Sequence, residues 1–195
     1  MIVKDSRVVV VGAGLMGTGI AHAFAASGFA TTLVDSNPEA LARAQASIHA
    51  ILEGGVKLGK LAPELANAAK ARLSTRIDLK GAAEGARLLV ETVSENLAVK
   101  KAVLTEAATV LAPGAIIATN TSALSVTEIA ASVPAPERVI GMHFFNPVHK
   151  MKLVELVLGI ATDAATVATS RAWCEAIGKT SILVNESPGL TTSRM

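Results

Sequence analysis

Two side chains capable of proton chemistry stand in apolar surroundings. His143 closes the run Val139 to His143, and Glu155 lies inside Leu153 to Leu158. A charge among apolar neighbours is costly unless a partner compensates it. The two residues are 12 apart, a spacing that lets two adjacent strand ends bring them together. A Glu accepting a hydrogen bond from one imidazole nitrogen fixes the tautomer and leaves the other nitrogen as a base. A second reading stands beside this one: a hydrogen-bonded core histidine, and a Glu reaching solvent from a sheet edge.

A second constellation is Gly12-Ala13-Gly14-Leu15-Met16-Gly17, a G-x-G-x-x-G. In a chain with 15 glycines the spacing alone says little, but its context is the one the chemistry needs. A buried strand precedes it, a helix follows, and Asp35 ends the next strand, 18 residues after Gly17. Gly12 permits a tight turn, Gly14 lets backbone approach a pyrophosphate, and Gly17 lets the helix pack close to the sheet. The helix start at Leu15, Met16 and Gly17 then offers free N–H groups and a positive dipole end to phosphates. Asp35 can accept from both adenosine ribose hydroxyls and would repel a 2′-phosphate, which favours NAD over NADP. FAD binding and a bare connecting turn are the rival readings. A third group, Thr119-Asn120-Thr121-Ser122, follows another predicted strand, where ligands bind in open α/β sheets. Ordinary turn chemistry also accounts for it.

The elements that must position these residues alternate. Arg7–Val11 reads as a strand buried on both faces, and Leu15–Ser27 as a helix ended by Gly28. Thr31–Val34 is a strand. Asn37 caps a helix running from Pro38 to about Glu53, broken by Gly54 and Gly55, with Val56–Ala71 as a further helical piece. Strands are expected at Leu88–Val93, Ala115–Thr119, Val139–His143, Leu153–Leu158 and Ser181–Val184. Helices are expected at Ala98–Leu111, Thr127–Ser132 and Asp163–Ile177. Such alternation predicts an α/β fold: a doubly wound, largely parallel sheet with helices on both faces. Residues 1–187 read as one domain, ending near Ser187-Pro188-Gly189, and 188–195 as the start of a connection.

Composition narrows the function classes. Of 195 residues 51% are hydrophobic, enough for a sizeable core. Eighteen basic residues against sixteen acidic ones argue against a nucleic-acid or membrane-surface partner, and the absence of Tyr argues against a base-stacking platform. The run Val8–Val34 has no charged residue, but its glycines divide it into strand, turn and helix, so no membrane span is expected. Cys174 is the single cysteine, so the chain has no internal disulfide or Cys-cluster metal site, and no metal is expected; a reducing cytoplasm fits. Trp173 and Cys174 read as packing residues, and His22, His49 and His149 as structural or exposed.

Taken together, the chain resembles the L-3-hydroxyacyl-CoA dehydrogenase family, specifically its N-terminal NAD-binding domain. The resemblance covers nearly the whole chain. It rests on VGAGLMGTGIA (11–21), ETVSENLAVK (91–100), TNTS (119–122), GMHFFNPVHKMKLVELV (141–157) and SPGLTTSR (187–194). It implies a Rossmann-type fold, NAD as cofactor and oxidation of an (S)-3-hydroxyacyl-CoA to the 3-ketoacyl-CoA in fatty acid metabolism. By that resemblance His143 is the catalytic base and Glu155 its orienting partner. Ser122 bonds the reacting oxygen, and Asn146 helps set the histidine and substrate. Glu95, Lys100 and Asn120 line the nicotinamide end of the cofactor.

The family pattern is departed from at Ser193-Arg194, where it has Asn-Arg; Ser cannot supply both an amide donor and a carbonyl acceptor. The resemblance also implies a helical second domain beyond Met195, which completes the acyl-CoA pocket and makes a homodimer. Without it the chain is expected to fold and bind NAD but to turn over poorly. Lys57, Lys60 and Lys70 fit one side of a CoA phosphate site or a solvated helix face. Two other functions stay open: a dehydrogenase for a hydroxy compound not carried on CoA, and a non-catalytic NAD-binding module.

Overall fold

In the computed structural model, residues 5–186 are described. The first half of the chain runs β1 (Arg7–Val11), α1 (Leu15–Ala26), β2 (Ala30–Val34), α2 (Pro38–Lys57), α3 (Pro63–Arg72), β3 (Leu73–Arg76), α4 (Leu79–Ala83) and β4 (Leu88–Glu91). The second half continues through α5 (Leu97–Ala108), β5 (Ile116–Thr119), α6 (Val126–Ala130), β6 (Val139–Phe144), β7 (Leu153–Leu158), α7 (Ala164–Ala176) and β8 (Thr180–Asn185). The eight strands form one sheet in the order β3-β2-β1-β4-β5-β6-β7-β8. Every neighbouring pair is parallel except β6 with β7, so the expected largely parallel, Rossmann-like sheet is what forms.

The continuous apolar strands are explained by cover on both faces. Val8 and Val10 point into one core, with Ile20 and Phe24 of α1, Leu41 and Ile48 of α2, and Trp173 of α7. Val9 and Val11 point into the other, with Ala83 of α4, Leu104 of α5 and Ile129 of α6. Trp173 packs edge-on against Phe24 and Phe29, at centroid distances of 6.0 and 5.1 Å. The buried Cys174 beside it is a packing residue, its thiol pushed up to about 12 by burial. The charge-free stretch 8–34 is strand, turn, helix and strand. No helix among the described residues is long and apolar enough to cross a membrane.

Three local features depart from expectation. Helix α2 does not break at Gly54 and Gly55 but continues to Lys57. Its stripe of Leu41, Ala44, Ile48 and Leu52 is buried, and that packing outweighs the poor helix propensity of two glycines, about 1 kcal/mol each. The next helix starts later than expected, with Pro63 at its first position. Strand β3 and the single-turn helix α4 were not expected at all. In β3 only Leu73 is fully buried, so its sequence carries no apolar run.

Candidate active site

The glycine turn is built as its spacing requires. Gly12 has φ +103°, and a Cβ on it would meet the Thr92 carbonyl and hydroxyl oxygens at 2.8 Å. A Cβ on Gly17 would lie 1.8 Å from the Gly12 carbonyl oxygen, so only glycine lets α1 start this close to β1. Gly14, at the N-cap of α1, has no neighbour within 4 Å of where its Cβ would be, and no side chain caps the helix. The Leu15 side chain is 71% exposed. An exposed helix start with free N–H groups, and open space over Gly14, fits an anionic group such as a pyrophosphate. Asp35 stands beside the turn, one carboxylate oxygen accepting from the Ala13 N–H at 2.7 Å and the other from the Asn37 N–H at 2.9 Å. A groove of about 700 Å³ runs past Gly12, Gly14, Asp35, Thr92 and Val93.

Along the same edge of the sheet lies a second cavity, of about 380 Å³, lined by Met16, Thr92, Val93, Glu95, Asn120, Ser122, His143, Phe144, Phe145 and Asn146. Thr92 and Val93 form part of both walls, so the groove over the glycines and this cavity adjoin. His143 and Glu155 are direct partners across the antiparallel ladder of β6 and β7. His143 Nδ1 lies 2.8 Å from Glu155 Oε2, and Glu155 is completely buried. A carboxylate accepts, so Nδ1 is the donor in this contact and Nε2 is the ring nitrogen left free of Glu155. The solvent-reaching reading of Glu155 is thereby overturned: the carboxylate is completely buried against His143. Asn120 Oδ1 accepts from the Phe144 N–H at 2.8 Å, pinning the end of β5 to the end of β6 next to the histidine.

Beneath this cavity is a charged cluster. Lys100 is 1% exposed, with Nζ 2.9 Å from Glu91 Oε1 and 3.1 Å from Glu95 Oε2. Glu91 is completely buried and also accepts from the Thr119 hydroxyl and the Val93 N–H, both at 2.7 Å. Glu95 Oε1 accepts from the Thr121 hydroxyl and from the Ser122 N–H, the latter at 2.9 Å. Burial alone would raise the Glu95 carboxyl; the Thr121 hydroxyl, the Lys100 ammonium and the Ser122 N–H outweigh it and hold it below the usual range.

The segment joining β6 to β7 is fastened to the glycine helix. A Cβ on Gly19 of α1 would come within 2.8 Å of Val148, so the segment rests on α1 at that glycine. The buried Lys179 donates to the Val148 and Met151 carbonyls, both at 2.7 Å. Burial, with His149 and Lys179 nearby, lowers His22 of α1 to about 4.

The expected site residues therefore gather on one edge of the sheet, with Lys100 set behind the cavity-lining Glu95. Lys100 does not line the cavity; it lies under it, because α5 buries Lys100, Leu104 and Ala107 on one face. Glu91 and Thr92 were missed. Glu91 carried a usable signal, an acid ending the apolar run of β4, the same signal that singled out Glu155. Thr92 is the hydroxyl directly after that strand. Among the three lysines, Lys70 is bonded to Glu53 at 2.7 Å, while Lys57 and Lys60 are exposed. Ser193-Arg194 and the rest of 187–195 lie outside the described residues.

Residues 7–187 match the family described as 3-hydroxyacyl-CoA dehydrogenase, NAD binding domain. The chain belongs to this family. As a 3-hydroxyacyl-CoA dehydrogenase NAD-binding domain it is 41% identical, over its full length, to a 3-hydroxyadipyl-CoA dehydrogenase of Escherichia coli (strain K12). It is 39% identical over 189 residues to a probable 3-hydroxybutyryl-CoA dehydrogenase of Bacillus subtilis (strain 168). The domain covers 41% and 66% of these relatives' lengths, and 100% and 97% of this chain is covered in turn. Among solved structures, an (S)-3-hydroxybutyryl-CoA dehydrogenase from Ralstonia eutropha superposes with TM-score 0.93 at 35% identity. That match covers 98% of this chain and 67% of the other.

Proposed function

We propose that this domain binds NAD along the groove and cavity and contributes the proton-handling residues for oxidation of a 3-hydroxyacyl-CoA to the 3-ketoacyl-CoA. The carrying observation is His143, backed by Glu155, in the wall of a cavity that adjoins the groove over Gly12 and Gly14. Bound NAD supplies a hydride acceptor. Gly14 and the start of α1 hold its pyrophosphate, and Asp35 its adenosine ribose. Asn120, Glu95 and Thr92 border the space for its nicotinamide end.

His143 Nε2 takes the hydroxyl proton of the substrate, and the Glu155 carboxylate stabilises the imidazolium that forms. Ser122 bonds the reacting oxygen, and Asn146, also in the cavity wall, positions substrate against the ring. In the reverse direction the protonated histidine returns the proton. The coenzyme A reading draws on the relatives' names, and Lys57 and Lys60 at the exposed α2–α3 turn are the cations available to its phosphates.

The test follows NADH formation by the protein expressed in full, with 3-hydroxybutyryl-CoA and NAD. Turnover of about 1 to 1000 per second supports the proposal. NAD binding without any NADH formation from acyl-CoA substrates overturns its catalytic part and leaves an NAD-binding module. Turnover of hydroxy acids free of coenzyme A, with none of the thioester, overturns the substrate class.

A further inference from the structure

The charged cluster runs from the buried Glu91 and Lys100 to Glu95 at the cavity wall. Glu91, Lys100 and Glu95 are joined in a chain, carboxylate to ammonium to carboxylate, with formal charges that leave one negative charge in excess. The excess sits close to the cavity: Glu95 lines it directly, and Lys100 lies behind it. Glu91 completes the chain from below and is anchored on three sides, by Lys100, the Thr119 hydroxyl and the Val93 N–H. Charge in such a poorly solvated place is felt at longer range than on a surface.

We propose that Glu91, through Lys100 and Glu95, sets the relative affinity of the domain for oxidised and reduced NAD. This rests on the proposed placement of the nicotinamide end in the His143 cavity. The ring is cationic in NAD⁺ and neutral in NADH, so a net negative cluster beside it attracts the first and is indifferent to the second. Glu91 touches no part of the cavity itself and acts as a positioning residue with an electrostatic reach. It holds the ammonium that would otherwise neutralise Glu95 alone. With Glu91 charged, Lys100 is shared and the cavity stays negative; without it, Lys100 and Glu95 cancel.

A purely structural role for Glu91 would change the binding of both cofactor forms alike, so the ratio of their dissociation constants separates the two accounts. Binding of NAD⁺ and NADH is titrated calorimetrically for the parent, Glu91→Gln, Glu91→Asp and the double variant Glu91→Gln/Lys100→Met. In Glu91→Gln the ratio Kd(NAD⁺)/Kd(NADH) should rise about threefold or more. It should stay near the parent value in Glu91→Asp, which retains the charge. The double variant leaves Glu95 as the only charge of the three and should return to the parent value too. If Glu91→Gln does not fold, Glu95→Gln removes the same unit of charge from a half-exposed position and should raise the ratio likewise.

An unchanged ratio in the folded single-charge variants, with NAD⁺ still bound, overturns the inference and leaves the cofactor site standing. Failure of the folded parent to bind either form overturns the cofactor site, and the inference with it.

Discussion

Gly17 and Gly12 are in such close contact that a methyl group on the first would lie 1.8 Å from the carbonyl oxygen of the second, whereas Gly14 between them faces open space. The two substitutions should therefore separate stability from binding. Gly17→Ala forces α1 away from β1 and should cost about 3 kcal/mol or more, at the upper end for overpacking. Gly14→Ala should cost under about 1 kcal/mol, the difference between Gly and Ala at an N-cap. It should nonetheless weaken NAD by about tenfold, since its Cβ enters the groove where backbone must approach the pyrophosphate. Thermal denaturation and NAD titration of both variants check this. A Gly14→Ala protein with parental NAD affinity would remove the pyrophosphate from this turn.

His143→Gln should lower turnover by about a hundredfold or more, the scale of general-base catalysis, with NAD affinity largely retained. Glu155→Gln should also slow the reaction, because a neutral amide stabilises the imidazolium less well. Steady-state kinetics together with cofactor titration separate the two effects. Near-normal rates in His143→Gln would take the base role away from it.

Asp35→Ala removes an acceptor for the ribose hydroxyls and the charge that repels a 2′-phosphate. NAD should weaken more than NADP. The variant also frees the Ala13 and Asn37 N–H groups now held by the carboxylate, so the glycine turn should loosen and both cofactors should lose some affinity. Equal loss for the two would show that only this tethering matters.

His22 is lowered to about 4 by burial, with His149 and Lys179 adding to the effect. The unfolded chain takes up a proton at this residue near pH 6.5, whereas the folded chain does so only near 4. Stability contributed by the neutral ring is thus full above about pH 6.5 and falls as pH drops toward 4, by up to about 3 kcal/mol. His22→Gln should flatten that part of the stability profile. Urea denaturation between pH 4 and 7.5 measures it, and parallel slopes for the two proteins would contradict the assignment.

The strongest features of this fold were legible because their causes are local. Strand β1 is a run of valines because both its faces are covered, and the glycine turn is marked by Gly12 and Gly17, where a Cβ would collide with neighbouring atoms. The partnership of His143 and Glu155 was legible as one of two readings: the cost of a carboxylate in an apolar run and the 12-residue spacing pointed to it, and the ladder between β6 and β7 brings the two side chains to 2.8 Å. What sequence could not show depended on depth and packing. The depth of Lys100 is one such feature: α5 buries it in line with Leu104 and Ala107. Gly54 and Gly55 read as a break because propensity is local, whereas the burial of the α2 stripe that overrides it depends on the tertiary fold. Strand β3 was invisible because an edge strand with one buried side chain needs no apolar pattern.

The antiparallel step between β6 and β7 also bears on the order in which the site is assembled. His143 and Glu155 are 12 residues apart, whereas the Thr92 hydroxyl reaches the carbonyls of Val11 and Gly12 across 81 and 80. Closing the longer loop costs roughly 2 kcal/mol more in chain entropy. The His143–Glu155 contact is thus short-range along the chain. The cofactor cradle exists only once β4 has docked beside β1 from far along the sequence. In a weakened variant the cradle should open first, leaving a histidine still paired with its carboxylate beside a groove that no longer grips.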